Sequence, residues 1–374
     1  LWDLAAAFDT IDIETLCKKL SLYGVQSCTV SWFRSFLTAR RQQVQVGGIL
    51  SEVAESSIGC PQGSLLSPLL FLIYVSDVEL WLKNSNLHSY ADDTSTSIGG
   101  EDESEVIRKL EADAVNFIRF TASNCLSVNP SKTGFMLIRP KRTAEDRASI
   151  KVGDAVIEES GRQKILGITI NNALSWDDHV FGKGSLLQSV NQRVGALKRI
   201  SRHIPSTYMG QIANAIVASK VRYGAAIFGP IRMTNADPLS AAHKELQLAL
   251  NRAMRVVARC RVSDRISIRS FIDATGIKPV NRISVESQLS LLWRAVEDSN
   301  SPLAGMARSR TLNKSSRSSS RGDLQLWSRS SVGQRNFPEK AIRLWNKTAP
   351  SLRNSKTKNS ARREIREFAN LLPL

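Results

Sequence analysis

The sequence predicts an α+β region followed by an all-helical region with a basic tail. Between Leu1 and Ile170, short segments rich in β-branched and aromatic residues alternate with amphipathic helical patterns. Beyond Trp176 the apolar residues fall almost entirely at helical spacing. Charge divides near the same place: residues 1–170 hold 17 Lys and Arg against 21 Asp and Glu, net −4, and residues 171–374 hold 34 against 13, net +21. Acids in one part and excess base in the other suit a region that binds cations joined to one that binds a polyanion.

Taken in order, Leu1-Trp2-Asp3-Leu4 reads as the end of a buried strand carrying an acid, and residues 5–9 turn toward a helix. Ile13, Leu16, Cys17 and Leu20 share one helical face, closed by Gly24. A second helix is expected from Thr29 to Thr38. The alternation from Gln42 to Val46, with Gly47-Gly48 behind it, predicts a hairpin returning along Ser51–Ile58. Gly59-Cys60-Pro61-Gln62-Gly63-Ser64 is turn-rich, and Ser67-Pro68 starts a helix to about Leu82. Leu87–Ile98 reads as a hairpin with Asp92 and Asp93 at its tip. An amphipathic helix spans about Asp102 to Ser123, with acids in its first turn where the dipole favours them. Leu126–Thr133 leads into an apolar strand through Ile138. Two short strands flank Gly153-Asp154, and residues 164–170 close the region.

Helices are then expected around 178–203, 206–227, 237–260 and 280–298. Arg252, Arg255, Arg259, Arg261, Arg265 and Arg269 crowd one part of them, and the charge favours a nucleic-acid surface over a solvated face. Residues 299–322 hold no acid and are rich in Ser and Arg, so a flexible linker is expected over 299–336. Phe337, Ile342, Leu344, Trp345, Ile365, Phe368 and Leu371 suggest a small helical segment over 337–374. The expected division is therefore 1–175, 176–298, 299–336 and 337–374.

Several classes are disfavoured. The dispersed basic charge does not resemble a single membrane-surface helix, and Leu65–Val75 is too short to cross a bilayer. Five cysteines, odd in number and without C-x-x-C spacing, read as reduced thiols of an intracellular protein with no zinc site. The four histidines are dispersed. The chain opens on Leu1 within a strand end, as a fragment would.

Asp3 and the pair Asp92-Asp93 are 89 residues apart, with a Gly/Pro/Gln loop between them. Clustered carboxylates are costly unless a cation neutralises them, and hard ions such as Mg²⁺ take oxygen ligands. Such a set suits two-metal phosphoryl transfer, in which carboxylates hold ions about 3.5–4 Å apart.

At this point the sequence resembles the reverse transcriptases of non-LTR (LINE-type) retrotransposons. Residues 3–9 (Asp-Leu-Ala-Ala-Ala-Phe-Asp) are similar to the family's first catalytic motif. Residues 59–64 with Ser67-Pro68-Leu69-Leu70-Phe71 are similar to the second, and Tyr90-Ala91-Asp92-Asp93 to the third. Leu126–Thr133 matches the fourth, and Ile165-Leu166-Gly167-Ile168 the primer-grip strand. The likeness covers residues 1 to about 180 and continues weakly through the basic helices, and the end, Phe337 to Trp345-Asn346 with Pro350 and Leu352-Arg353-Asn354, is similar to the carboxyl-terminal tail of several such elements.

The resemblance implies a right-hand polymerase palm, an antiparallel sheet with packed helices, followed by an all-α thumb-like region. It implies an RNA-directed DNA polymerase, a nucleotidyltransferase working on RNA template, DNA primer and dNTPs in the nucleus or cytoplasm. Asp3, Asp92 and Asp93 would bind two Mg²⁺ ions, replaceable by Mn²⁺, with the Leu4 carbonyl as a backbone ligand. Phe8 would exclude a 2′-hydroxyl, and Pro61, Gln62 and Gly63 would line the nucleotide pocket. Lys132 would stand by the leaving pyrophosphate, and Leu166 and Gly167 would form the primer grip. Two positions depart from the family: Ala6 replaces a common Lys, and Cys125 a usual Gly. The fingers, an endonuclease and a Cys/His knuckle are absent from the sequence. Two alternatives stay open: a group II intron type reverse transcriptase, and a catalytically inactive nucleic-acid-binding remnant.

Overall fold

The computed structural model describes residues 1–139, 147–309, 323–325 and 337–373. The chain divides into two compact units, one of residues 1–167 with 171–173, the other of 168–170 with 174–374.

The first unit mixes helices with small antiparallel ladders. Helix α1 (Ile13–Leu22) starts on Asp12, whose side chain accepts from the Thr15 amide, and buries Ile13, Leu16, Cys17 and Leu20. Helix α2 (Ser27–Leu37) packs on it. Strands β1 (Arg40–Gln42) and β4 (Ala54–Ser56) pair around an inner hairpin, β2 (Gln45–Val46) with β3 (Ile49–Leu50), turning at Gly47-Gly48 as the alternation predicts. Helix α3 (Ser67–Val75) is followed by a 3₁₀ segment, Ser76–Trp81, rather than continuing as α-helix. Lys19 explains the change: its Nζ donates to the Tyr74 carbonyl at 2.6 Å and to Asp77 at 2.5 Å, occupying the acceptor an α-helical Val78 amide would need.

Strands β5 (Asn86–Tyr90) and β6 (Asp93–Ser97) form the acid-tipped hairpin. Helix α4 (Glu103–Ser123), capped by Asp102, carries Phe117 and Phe120 into the core, where Trp2 stacks on Phe117 at 4.4 Å. It ends at Cys125, which takes a φ of 52°, the left-handed conformation that a glycine adopts at no cost. Strands β7 (Ser149–Val152) and β8 (Ala155–Glu158) pair around Gly153-Asp154. Two expectations are corrected. Residues 134–138 do not form a regular strand; they make one bridge, Phe135 with Glu159, after the turn at Asn129-Pro130 has ended the pairing of Val128 with Leu4. The ladders are two-stranded and linked by bridges, not one wide sheet.

Strands β9 (Arg162–Ile165) and β10 (Ile168–Asn171) flank Leu166 and Gly167. These two are therefore turn residues, with φ of 48° and 79°, rather than part of a continuous strand.

The second unit is helical. The expected 178–203 helix is two, α5 (Asp177–Val180) and α6 (Leu186–Ile200), because Gly182 and Gly184 take φ of 95° and 75° between them. The 206–227 span is α7 (Ser206–Ala213), a π turn over Asn214–Ala218, α8 (Ser219–Arg222) and α9 (Ala225–Phe228). The Asn214 side chain donates to the Gly210 carbonyl at 2.9 Å, displacing the regular ladder there. Helices α10 (Ala241–Ala258), α11 (Ile268–Thr275) and α12 (Val280–Glu297) follow; α11 has no counterpart among the sequence expectations. Helix α12 lies between two apolar clusters, one containing Met209, Leu250 and Ile283, the other Leu289, Leu344 and Trp345.

Most of the expected 299–336 linker lies outside the described residues. The described parts differ from a free linker: α13 (Ala304–Ser309) buries Ala304 and Ala307, and buried Leu324 exchanges backbone hydrogen bonds with the Asn346 side chain. Helices Glu339–Lys347, Pro350–Arg353 and Lys358–Leu371 make up the end, with Trp345 fully buried.

Candidate active site

Register gathers the first and third motifs. Trp2 bridges Thr94 on one side, donating its amide to the Thr94 carbonyl at 2.8 Å, while Leu4 bridges Val128 on the other. The bridge sets Trp2 against Thr94, so Asp3 lies one position beyond it on one segment and Asp93 one position before it on the other. Alternation turns Trp2 and Thr94 inward, both buried, and leaves half-buried Asp3 and exposed Asp93 on the other face. The Leu4–Val128 bridge is held by Ala5 to Ser127 and Asn129 to Asp3, so the Leu4 carbonyl points away from that neighbour, toward the hairpin side.

The hairpin closes on the pair Tyr90–Asp93, with Ala91 and Asp92 as its two-residue turn. Ala91 has a φ of 54°, the left-handed conformation such turns require. The base of the hairpin is fixed by Asp113 on α4. Its carboxylate accepts from the amides of Lys83, Asn84 and Ser85 at 2.8–3.0 Å and from the Ser85 hydroxyl at 2.6 Å. Burial pushes this carboxyl up, but those hydrogen bonds outweigh burial and hold it below the ordinary Asp range.

The second motif is stitched to the first. The Gly59 amide donates to the Ile11 carbonyl and the Cys60 amide to that of Phe8, both at 2.8 Å. Gln62 donates from Nε2 to both Asp9 oxygens at 3.0 and 3.1 Å. Gly59 has a φ of 74°, and a Cβ there would lie 2.7 Å from the Asp9 carbonyl oxygen. Arg40 braces the loop from behind, donating to the carbonyls of Ile58 and Gly59 at 2.7 and 3.1 Å. Pro61 accepts from the buried Ser67 hydroxyl at 2.7 Å, while Gln62 and Gly63 are exposed. Phe8 is half-buried and stacks on Phe71 at 4.5 Å, which fixes the plane of its ring. Burial pushes the Cys60 thiol up to about 11, so it is a protonated packing group rather than a nucleophile.

The fourth motif supplies a cation. The Asn129 carbonyl accepts from the Lys132 and Thr133 amides, and the resulting turn carries Lys132 to 3.9 Å from an Asp3 oxygen. The lysine is 68% exposed, so its pairing with Asp3 is weak. Leu166 and Gly167 are exposed turn residues.

The donor chemistry of Asp3, Asp92, Asp93 and the Leu4 carbonyl is all oxygen, which fits a hard divalent ion. Among the described residues, however, no three His, Cys, Asp or Glu side chains stand close enough to hold a metal, so the acids do not form a closed cage. Asp9, Arg40 and Asp113 were not singled out by sequence. For Asp113 a signal was present: it falls between Leu110 and Phe117 on the apolar face of its helix. None of the described helices is long and apolar enough to cross a membrane.

Residues 1–170 match the family described as Reverse transcriptase (RNA-dependent DNA polymerase). The chain is 26% identical over 305 residues to a probable RNA-directed DNA polymerase from transposon BS of Drosophila melanogaster, covering 77% of this chain and 31% of that protein. It is 24% identical over 267 residues to the probable RNA-directed DNA polymerase from transposon X-element of the same organism, covering 69% and 28%. A third relative, the RNA-directed DNA polymerase from mobile element jockey, also of Drosophila melanogaster, is 25% identical over 244 residues, covering 61% and 25%. The chain thus spans between a quarter and a third of the length of these curated relatives. Residues 1–170 are thus similar to reverse transcriptases, and the chain as a whole is similar to proteins described as RNA-directed DNA polymerases of transposons and mobile elements.

Proposed function

We propose that this chain is the palm and following helical part of an RNA-directed DNA polymerase that extends a DNA primer on an RNA template. The observation that supports the reading is the bridge of Trp2 to Thr94, which brings the segments bearing Asp3 and Asp93 side by side, with the Gly59–Ser64 loop hydrogen-bonded onto the segment that bears Phe8. Asp3, Asp92, Asp93 and the Leu4 carbonyl would hold two divalent ions, Mg²⁺ or Mn²⁺. When bound, such ions lower the pKa of the primer hydroxyl and stabilise the leaving oxygen. The attacking group belongs to the primer, so the protein needs no nucleophile of its own. Lys132 places a positive charge beside Asp3, where it can move to a departing pyrophosphate as the carboxylate takes up its ligand role.

Phe8 acts by exclusion. A ring held against Phe71 cannot swing aside for a 2′-hydroxyl, the group that distinguishes a ribonucleotide from a deoxyribonucleotide. Pro61, Gln62 and Gly63 line the nucleotide side, with Gln62 oriented by Asp9. The helical second unit, with most of the excess positive charge, serves as a thumb-like surface for nucleic acid within the cell. The Leu166-Gly167 turn contacts the primer end. The inactive-remnant reading has no specific observation in its favour, since all three acids and the loop are intact.

The test is single-nucleotide incorporation on an RNA template, comparing dNTP with rNTP for the wild type and Phe8→Val. The substitution should raise relative ribonucleotide use by about tenfold or more. Incorporation with unchanged discrimination would remove Phe8 from the nucleotide site.

A further inference from the structure

A groove of about 640 Å³ opens between α6 and α10, within the helical unit. Its walls carry Lys198, Arg202, Arg252, Arg255 and Arg259. Among the described residues, none of these five cations is ion-paired with a carboxylate. Three of the guanidinium groups are nevertheless held in place. Arg252 donates to the Asn191 side chain at 2.8 Å, and Arg259 to the Ser201 and Ile204 carbonyls at 3.2 and 2.9 Å. Arg255 donates to the Arg261 carbonyl at 2.6 Å and lies over the Phe271 ring at 5.2 Å. Each keeps further N–H donors. The interior between these cations is apolar: Val194 is buried, Val256 is partly buried, and Val262 stands exposed at the rim.

Fixed guanidinium groups without counter-charges select an anion, and their immobility lowers the entropy cost of binding one. The apolar interior selects something more than an anion. A duplex presents phosphates and hides its bases, whereas an unpaired strand offers base faces that rest on apolar side chains and on guanidinium planes. We infer that the groove between α6 and α10 is a socket for single-stranded nucleic acid, taking a base against Val194, Val256 and Val262 while its phosphates engage the surrounding cations. The socket lies in the helical unit, and its occupancy requires neither nucleotide chemistry nor a divalent metal. Its failure would leave the reading of Asp3, Asp92 and Asp93 untouched.

The test uses the full chain without dNTPs or divalent metal. Fluorescence anisotropy compares three probes: an oligouridylate of about twelve nucleotides, an abasic strand of equal length, and a blunt RNA duplex. The side chains of Lys198 and Arg202 make no described hydrogen bond or ion pair, so Lys198→Glu with Arg202→Glu should fold normally, as a thermal melt would verify. The wild type should bind the oligouridylate about tenfold more tightly than the abasic strand and the duplex. The double variant should lose about tenfold or more of that affinity. Cys260, which lines the groove, should be protected from alkylation by the oligouridylate, as read by mass spectrometry at that site. Equal binding of the abasic strand would reduce the groove to a phosphate patch and overturn the socket. So would a folded double variant with wild-type affinity, or Cys260 alkylation unaffected by saturating strand.

Discussion

Asp113 shows how much a single buried acid can do for residues it does not touch. It caps the three amides that lead into β5, and so sets where the Asp92-Asp93 tip stands. Because its carboxyl is held below the ordinary Asp value of 3.8, the stability it contributes is complete above that value and is lost as pH falls below it. Asp113→Asn should therefore cost about 1–3 kcal/mol near neutral pH. The gap between the thermal melts of the two proteins should narrow as the pH falls below that ordinary Asp value. A gap that persists unchanged into acid would mean that the negative charge is not what holds the turn. Asp3, Asp92 and Asp93 were legible in the sequence because acids at a strand end and a hairpin tip stand out against apolar neighbours. Asp113 left a trace, an acid on the apolar face of its helix, but its role did not, because its partners are backbone amides brought near only by folding; Asp9 likewise meets Gln62 only in the fold.

At the scale of elements, the loop 59–64 is the joint on which the proposed nucleotide side depends. Gly59 has both a left-handed φ and backbone 2.7 Å from where its Cβ would go. Gly59→Ala must shift the loop away from Asp9, and should cost about 1–3 kcal/mol while lowering the rate of nucleotide addition. Gly47 is the control, with a φ of 59° but nothing within 4 Å of the added carbon. Gly47→Ala should lose only the backbone term and leave addition unchanged. Equal losses of activity for the two would show that the contact with Asp9 is unimportant. The hairpins at Gly47-Gly48, Asp92-Asp93 and Gly153-Asp154 were readable from alternation and turn residues. Helix interruptions were not: Lys19 reaches the Tyr74 carbonyl and Asn214 the Gly210 carbonyl through side chains whose targets no periodicity reports.

At the scale of the molecule, the change from mixed elements to helices and the change from net −4 to net +21 fall close to the boundary between the two compact units. Composition made that boundary visible. It could not reveal that α12 links two apolar clusters, or that Leu324 and the terminal helices complete the second of them, since those contacts join residues dozens of positions apart. The separation of charge implies separable roles: synthesis should depend on the acids of the first unit and retention of nucleic acid on the basic second unit. The most direct measurement is Mg²⁺-dependent extension of a DNA primer on an RNA template by this chain and by Asp92→Ala, with primer-template binding measured alongside. The account predicts extension by the wild type, none by Asp92→Ala, and binding by both within about twofold, because that carboxylate contributes nothing to phosphate neutralisation. Extension that survives Asp92→Ala, or a wild type that binds primer-template but never extends it, would contradict it.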